Sequence, residues 1–398
     1  MSTATKTKTE GGSLAGYLGG NLKQYVMVAA LVVITLWFQF DTNGLMLLPN
    51  NVVSLIQQNA YVFILTIGMV MIIVAGHIDL SVGSVVAFVG GLTGLMVMQW
   101  DVAWPVAVLL AIIIGGIVGA WQGFWVAYVG IPAFIVTLGG MLLFRGLAIY
   151  FVGTTVGGLP SDFNALANGA LPNWLGFLGN LDTVSVVIGA VAALGLLISQ
   201  IRTRRELVRN DLRTEPFIAF VVKAVVGIAA IGYLTWLLAN SAGGMPIVLI
   251  IVGVLVLLYS FIMNNTIFGR HIYAMGGNLP AAMLSGVKTK RVNFLLFVNM
   301  GMLAGVAAVI TTARAGSAVA SAGQNYELDA IAAAFIGGTA VTGGVGKVTG
   351  AIIGALIMGV LNMGLSITNV VPEWQMVIKG LVLIVAVAFD ILNKRRGK

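Results

Sequence analysis

The feature that most constrains this chain is a succession of apolar runs, separated by short polar loops, each long enough to form a helix across a membrane. A transmembrane helix needs about 20 predominantly apolar residues. The runs lie at 24–40, 53–75, 82–99, 105–128, 132–153, 184–200, 217–239, 246–264, 292–313, 328–345, 347–366 and 374–391. They predict an all-α polytopic membrane protein with about 12 transmembrane helices, within the range 10–12.

The composition excludes most other classes of protein. Of the 398 residues, 59% are hydrophobic and only 9% are charged, whereas soluble domains have roughly a quarter charged residues. The sequence has no cysteine and two histidines, His77 and His271, which leaves little for a metal site. It also lacks a complete P-loop, a nucleophile elbow and an HExxH motif. We therefore expect no catalytic residue and no metal, and we do not expect an enzyme.

The basic residues alternate between the two sides of the predicted membrane. Seventeen of the 21 Lys and Arg residues fall in the N-terminal tail, after the sixth and eighth spans, at Lys347 and in the C-terminal tail. The intervening loops, 41–52, 100–104, 154–183, 240–245, 315–327 and 367–373, contain none. Because cytoplasmic loops are rich in Lys and Arg, this split predicts that both termini are cytoplasmic. It also explains the net charge of +8 without a nucleic acid partner.

This orientation gives the chain a simple organisation. A single transmembrane domain, 24–391, lies between cytoplasmic tails at 1–23 and 392–398. We expect 154–183 to be an external loop. We expect 201–216 to be a basic cytoplasmic loop, and 265–291 to be a second loop on the cytoplasmic side. The glycine-rich run 328–345 must cross the membrane, since otherwise the basic C-terminal tail would lie outside.

The acidic residues at the ends of spans have a structural explanation, and for two of them we also consider a functional one. Asp79 begins a turn motif with Ser81 and Gly83, in which the carboxylate is expected to cap the helix that follows. Glu327 and Asp329 open the tenth span, where they either favour the helix dipole or face an outer vestibule.

Two other patterns concern the interior of the spans. Glycines recur every fourth residue in the fourth span and in the eleventh, and such stripes let helix backbones approach closely. These are Gly115, Gly119 and Gly123, and Gly346, Gly350 and Gly354. Arg145 lies in the middle of the fifth span without an acidic residue in that span to neutralise it.

The loop 265–291 contains the signals of a short helix between two spans. Asn278 is a capping residue, Pro280 suits the first turn, and Gly286 suits the end. An amphipathic helix in this place could dock into a groove of a soluble partner. The alternative is a surface helix that lies on lipid.

Three separated motifs resemble one family, the permease subunits of bacterial ABC importers for monosaccharides of the ribose, xylose and galactose class. They are Ile78-Asp79-Leu80-Ser81-Val82-Gly83; the loop 269–278 with Ala281, Ala282 and 284–287; and 326–333 with Gly337, Gly338 and Thr339. The resemblance covers roughly residues 20–394. The extra pair of spans, six and seven, makes the chain look more like the xylose and multiple-monosaccharide permeases than the shorter ribose type.

The resemblance implies the ABC importer permease fold and a set of partners. A second copy of the permease completes the pore, a cytoplasmic ATPase subunit binds ATP and Mg, and a periplasmic sugar-binding protein delivers the monosaccharide. The chain itself is expected to bind no cofactor and to lie in the bacterial inner membrane. The family's coupling helix, which contacts the ATPase, corresponds to Gly277, Asn278, Ala281, Ala282, Leu284, Ser285, Gly286 and Val287.

The implied function is import of a xylose-like pentose or a related sugar by ATP-driven alternating access. A path for a neutral sugar should be polar but uncharged and should bind weakly. The residues predicted to line it are Gln58, Asn59, Asn299, Glu327, Asp329, Thr339 and Asn362, although polar residues within spans more often form hydrogen bonds between helices than contacts with a solute. The alternative function is a stand-alone secondary transporter or channel for a small polar solute.

Overall fold

The computed structural model describes residues 22–212 and 214–396. Most of the predicted N-terminal tail (1–21), Arg213, and the last two residues of the C-terminal tail therefore lie outside the described residues. Sixteen α-helices lie within the described ranges. They are α1 Leu22–Asp41, α2 Pro49–Gln58, α3 Ala60–Val74, α4 Val82–Met98, α5 Trp104–Phe124, α6 Ala133–Val152, α7 Ser161–Asn168, α8 Thr183–Arg209, α9 Phe217–Ala239, α10 Ile247–Asn265, α11 Ile267–Gly277, α12 Leu279–Leu284, α13 Thr289–Ala315, α14 Tyr326–Ile336, α15 Val348–Ile367 and α16 Pro372–Arg396.

The strands of the described residues form two small sheets of two strands each. Those described are β1 Thr155–Gly157, β2 Phe177–Leu178, β3 Leu181–Asp182 and β4 Ser317–Val319. β1 pairs with β4 in antiparallel register, Val156 opposite Ala318, and β2 pairs with β3 as a hairpin. The predicted external loop 154–183 therefore holds β1, α7 and the hairpin, and it is tied through β1 to the segment that follows α13.

Seven helices among the described residues are long and apolar enough to cross a membrane, or eight if the pair α2 and α3 counts as one span bent by 46°. The seven are α5 with the π-helix Trp125–Val129 that continues it, α6, α8, α9, α10, α13 and α15. α4 is apolar but shorter. The prediction of a helical, polytopic membrane protein is confirmed.

The most buried helix is α3, in which all residues but Tyr61 are buried, whereas α5 is buried only along the face that packs closely on α13. A Cβ atom on Gly119 would overlap the carbonyl oxygen of Phe297 and lie 2.9 Å from its carbonyl carbon. Gly115 lies in the same way against Gly301. The predicted stripe on α5 is therefore a helix-packing surface, as small residues in membrane helices commonly are.

The second stripe joins α15 to α14. A Cβ on Gly354 would overlap the carbonyl oxygen of Ala333 and lie 2.7 Å from the backbone nitrogen of Gly337. Gly350 meets Gly337 as well. The two helices thus approach at backbone distance.

The tenth predicted span is helical over only part of its length. α14 ends at Ile336, and residues 337–347 continue without helix, with Gly338, Gly343 and Gly344 at positive φ. The segment nevertheless passes from the end of the bundle that holds β4 to the end that holds α11, where the backbone N–H of Gly344 donates to the carbonyl of Val74. Glycines at positive φ explain why the helix stops early.

Two other helices run past their predicted ends. α8 extends to Arg209, so that half of the predicted loop 201–216 is helical. α16 continues to Arg396, beyond the predicted end at 391. α8 and α9 pack chiefly on each other, with Gly189 against Thr235.

Candidate functional site

Two helices begin inside the bundle, and their N-terminal ends meet. Gly83 in the first turn of α4 lies against the carbonyl oxygen of Gly323 and the carboxylate of Glu327, which is in the first turn of α14. The contacts of residues 77–90 with α13 show how far inside the bundle this meeting point lies. His77 contacts Asn293 at one end of α13 and Gly90 contacts Thr312 near the other, about 28 Å apart at 1.5 Å per residue. Gly83 lies between the two, so the helix ends meet well inside the bundle.

The loop before α4 is held by a buried polar network. The Asp79 carboxylate accepts from the backbone N–H of Ser81 at 2.8 Å and from its hydroxyl at 2.6 Å, and Gln122 donates to that hydroxyl at 2.7 Å. The sequence predicted a cap on the first turn of the helix. Instead the carboxylate bonds to Ser81, the residue that immediately precedes α4.

Arg145 finds its partners on the backbone of a distant segment. Its guanidinium donates to the carbonyls of Ala320 and Ala322, at 3.0 and 2.7 Å. It also interacts electrostatically with Glu327. Arg145 therefore holds the turns that lead from β4 into α14, a role that the sequence did not reveal.

Asp329 lies in an ion pair between α14 and α16, in which the carboxylate is buried and the Lys379 side chain is 25% exposed. Its carboxylate is 3.2 Å from the ammonium of Lys379 and accepts a hydrogen bond of 2.7 Å from Tyr61. Tyr61 stacks on Tyr326 with ring centroids 3.5 Å apart. Asp329 is 4% exposed, so the pair compensates charges that would be costly alone.

The remaining residues predicted to line a path are dispersed. Asn362 donates to Asn59 at 2.8 Å, and Tyr259 donates to Asn299 at 2.5 Å. These contacts are hydrogen bonds between helices. Thr339 is buried in the segment after α14, whereas Gln58 is exposed beside the small cavity that Tyr61 and Tyr326 also line.

The predicted short helix of the loop 265–291 is present as α12. The side chain of Asn278 accepts from the backbone N–H of Ala281 at 3.0 Å, and Gly286 ends the turn with φ of +83°. Ala282 faces inward, while Leu284 is 91% exposed. Gly277, Ser285 and Val287 flank or close the same turn; the Ser285 hydroxyl donates to the carbonyl of Ala281.

α11 leads into α12 and contacts the interior of the bundle through the Tyr273 side chain and the Gly276 backbone. The Tyr273 hydroxyl donates to the carbonyl of Gly346 at 2.6 Å, and Gly344 donates to Val74 at 2.8 Å. Gly276 packs against both Val74 and Gly344 so closely that a Cβ would overlap the Val74 oxygen. We call this contact of α11, the end of α3 and the loop before α15 the inner joint.

The chain belongs to a family of membrane permeases. Residues 51–387 match the family described as branched-chain amino acid transport system / permease component. The chain is 38% identical to the xylose transport system permease protein XylH of Haemophilus influenzae, over 94% of this chain and 98% of that protein. The XylH of Escherichia coli K12 is also 38% identical, over 97% and 96% of the two chains.

A relative named for another sugar is more distant. The ribose import permease protein RbsC of Escherichia coli K12 is 32% identical over 94% of this chain and 95% of that protein. The resemblance to sugar ABC permeases is therefore confirmed, and the chain is a multi-pass inner-membrane protein. No solved structure matches the chain.

Proposed function

We propose that this chain is the membrane subunit of an ATP-driven importer that carries a xylose-like pentose or a related monosaccharide into the cell. The observation that carries the proposal is the inner joint. It connects α11, which leads into the exposed short helix α12, to two elements of the interior, α3 and the loop that ends the α14 crossing. A helix that only covered lipid would need no such connection.

The topology in this proposal has twelve crossings with both termini inside. To the eight spans that length and composition support, it adds α1, α4 with its extended loop, α14 with its glycine-rich continuation, and α16. The polar meeting point of α4 and α14 supports counting both as crossings, because irregular backbone at membrane depth is tolerated where protein surrounds it.

The importer would contain a second copy of this chain, an ATPase and a periplasmic binding protein. ATP and Mg would be bound by the ATPase, with no cofactor on this chain. α12 would dock on the ATPase, and Leu284 would supply an apolar contact there. ATP-driven movement of α12 would then reach α3 and α14 through Tyr273 and Gly276 and change the side to which the path opens.

In this mechanism α3 and α14 move as one unit. They are joined at one end by the inner joint and at the other by the contacts of Tyr61 with Asp329 and Tyr326. Among the residues predicted to line the sugar path, we assign Gln58 and Asp329 to its surface, with Glu327 beside it. We assign Asn59, Asn299 and Asn362 to helix packing, and Thr339 to the loop that ends the α14 crossing.

One observation favours the alternative of a stand-alone secondary transporter. Discontinuous helices whose ends meet in the membrane, as those of α4 and α14 do, are common in such proteins. We prefer the importer because α12 and the inner joint have no role in a protein that acts alone.

Affinity purification tests the proposal. The tagged chain, extracted from its native membranes in a mild detergent, should co-elute with an ATPase whose activity rises when the periplasmic sugar-binding protein is added. Elution of the chain without an ATPase, although it still transports sugar in liposomes, would favour the secondary transporter.

A substitution at α12 should separate docking from folding. We expect Leu284→Asp to abolish co-elution of the ATPase, because it places a charge on an apolar contact without touching the interior. Leu212→Asp makes the same change at another exposed leucine, 56% exposed, and should leave co-elution intact. Equal ATPase recovery with both variants would show that α12 is not the docking element.

A further inference from the structure

A cavity of about 360 Å³ lies between α3, α14 and α16, next to the ion pair of Asp329 and Lys379. Its volume is within the usual range of ligand pockets, about 300–1,000 Å³. Its lining combines polar and apolar side chains. The polar groups come from Tyr61, Gln324, Asn325, Asp329, Gln375 and Lys379. The apolar residues include Leu328, Ala332 and Met358.

Several of these polar groups have capacity for further hydrogen bonds. Within the described residues, the side-chain amides of Gln324 and Asn325 make no hydrogen bond, and the Gln375 amide donates only to the carbonyl of Val370. The Asp329 carboxylate accepts from Tyr61 and pairs with Lys379, but it has lone pairs for another donor. The cavity therefore offers a ligand both side-chain amides and a carboxylate oxygen.

The charges of the cavity select the class of ligand. Lys379 would repel a bound cation and Asp329 would repel a bound anion, while the ion pair as a whole carries no net charge. The polar residues of the lining include both donors and acceptors, and a sugar hydroxyl both donates and accepts. The apolar residues of the lining suit the C–H groups of a sugar ring.

We propose that this cavity is a binding station for a neutral monosaccharide of about pentose size, with Asp329, Lys379 and Gln375 as its hydrogen-bonding groups. The inference rests on the proposed function and deepens it, since it names one place along the transport path where the sugar binds transiently. Tyr61 is a positioning residue, because its hydroxyl orients the Asp329 carboxylate.

Cysteine protection tests the station directly, because the chain has no cysteine of its own. Gln324→Cys is introduced, since Gln324 is exposed and makes no side-chain bond that the substitution would break. The complete importer is placed in proteoliposomes, and labelling of this chain by a maleimide is followed with D-xylose or D-ribose present. We expect the sugar that is transported to slow labelling several-fold.

Two further variants separate a ligand role from a structural one. Gln99→Cys, at another exposed glutamine at the end of α4, should show no protection. Adding Asp329→Asn and Lys379→Gln to Gln324→Cys keeps the site neutral, and a neutral replacement of a buried ion pair is often tolerated by the fold. The sugar concentration for half protection should rise about tenfold or more, as expected when hydrogen bonds to charged groups are lost.

The outcomes distinguish this inference from the proposed function. Absence of protection at residue 324, in vesicles whose ATP-driven uptake is intact, would overturn the station and leave the importer standing. Unchanged half protection in the triple variant would likewise overturn the roles of Asp329 and Lys379. If the importer takes up no sugar with ATP, the proposed function fails and the station fails with it.

Discussion

Gly276→Ala should reduce sugar uptake at least about tenfold, although it adds a single methyl group to one glycine of α11. The new Cβ would overlap the carbonyl oxygen of Val74 and lie 2.6 Å from the backbone nitrogen of Gly344. Both of these are backbone atoms, and they bond to each other across the inner joint. Neither can move aside as a side chain would, so the joint must open.

A glycine of the preceding helix provides a control. A Cβ on Gly253 meets nothing within 4 Å, and Gly253 is in α10, away from the inner joint. Gly253→Ala should therefore keep normal uptake. For Gly276→Ala we expect more ATP hydrolysed for each sugar carried, measured as phosphate release and uptake in the same proteoliposomes. Normal coupling in Gly276→Ala would show that the inner joint does not transmit the movement of α12.

Gly119→Ala should destabilise the transmembrane bundle by on the order of 1–3 kcal/mol, the usual cost of overpacking a tight interior. The added methyl group would overlap the Phe297 carbonyl oxygen and lie 3.0 Å from the Cα of Val298. α5 and α13 would have to separate along a contact in which their backbones touch at Gly115 as well as at Gly119. The thermal unfolding midpoint of the purified chain in detergent should fall clearly.

Gly146→Ala on α6 is the control for this effect. Gly146 is in the middle of a membrane helix, but a Cβ there meets nothing within 4 Å. Because alanine is the better helix former, this variant should be unchanged or slightly more stable. Equal thermal unfolding midpoints for Gly119→Ala and Gly146→Ala would contradict the close packing of α5 on α13.

The parts of this fold that follow local rules could be predicted from the sequence. Long apolar runs gave the helices, and the glycine stripes gave close packing surfaces on α5 and α15. α12 was predicted because Asn278, Pro280 and Gly286 act within a few residues of each other. The turn of Asp79 and Ser81 is local as well, although its hydrogen bonds end one residue before the helix.

The interior of the site depends on contacts that no local pattern records. Tyr61 and Asp329 are 268 positions apart in the chain, and Arg145 bonds to carbonyls about 175 positions away, which every residue type carries. Lys379 is a charged residue within the predicted span 374–391, but no neighbouring residue in the sequence indicates that its partner is Asp329. The bend between α2 and α3 falls at the polar triplet Gln57, Gln58 and Asn59 inside the predicted span 53–75, where the sequence predicts residues of the sugar path and an unbroken helix.

The most direct test of the central claim is the energy source of transport. The purified chain is reconstituted with its ATPase and its periplasmic binding protein, and uptake of labelled D-xylose and D-ribose is measured with ATP or with an imposed ion gradient. We expect uptake of at least one of these sugars that requires all three proteins and ATP. Uptake by this chain alone, driven by the ion gradient, would contradict the account.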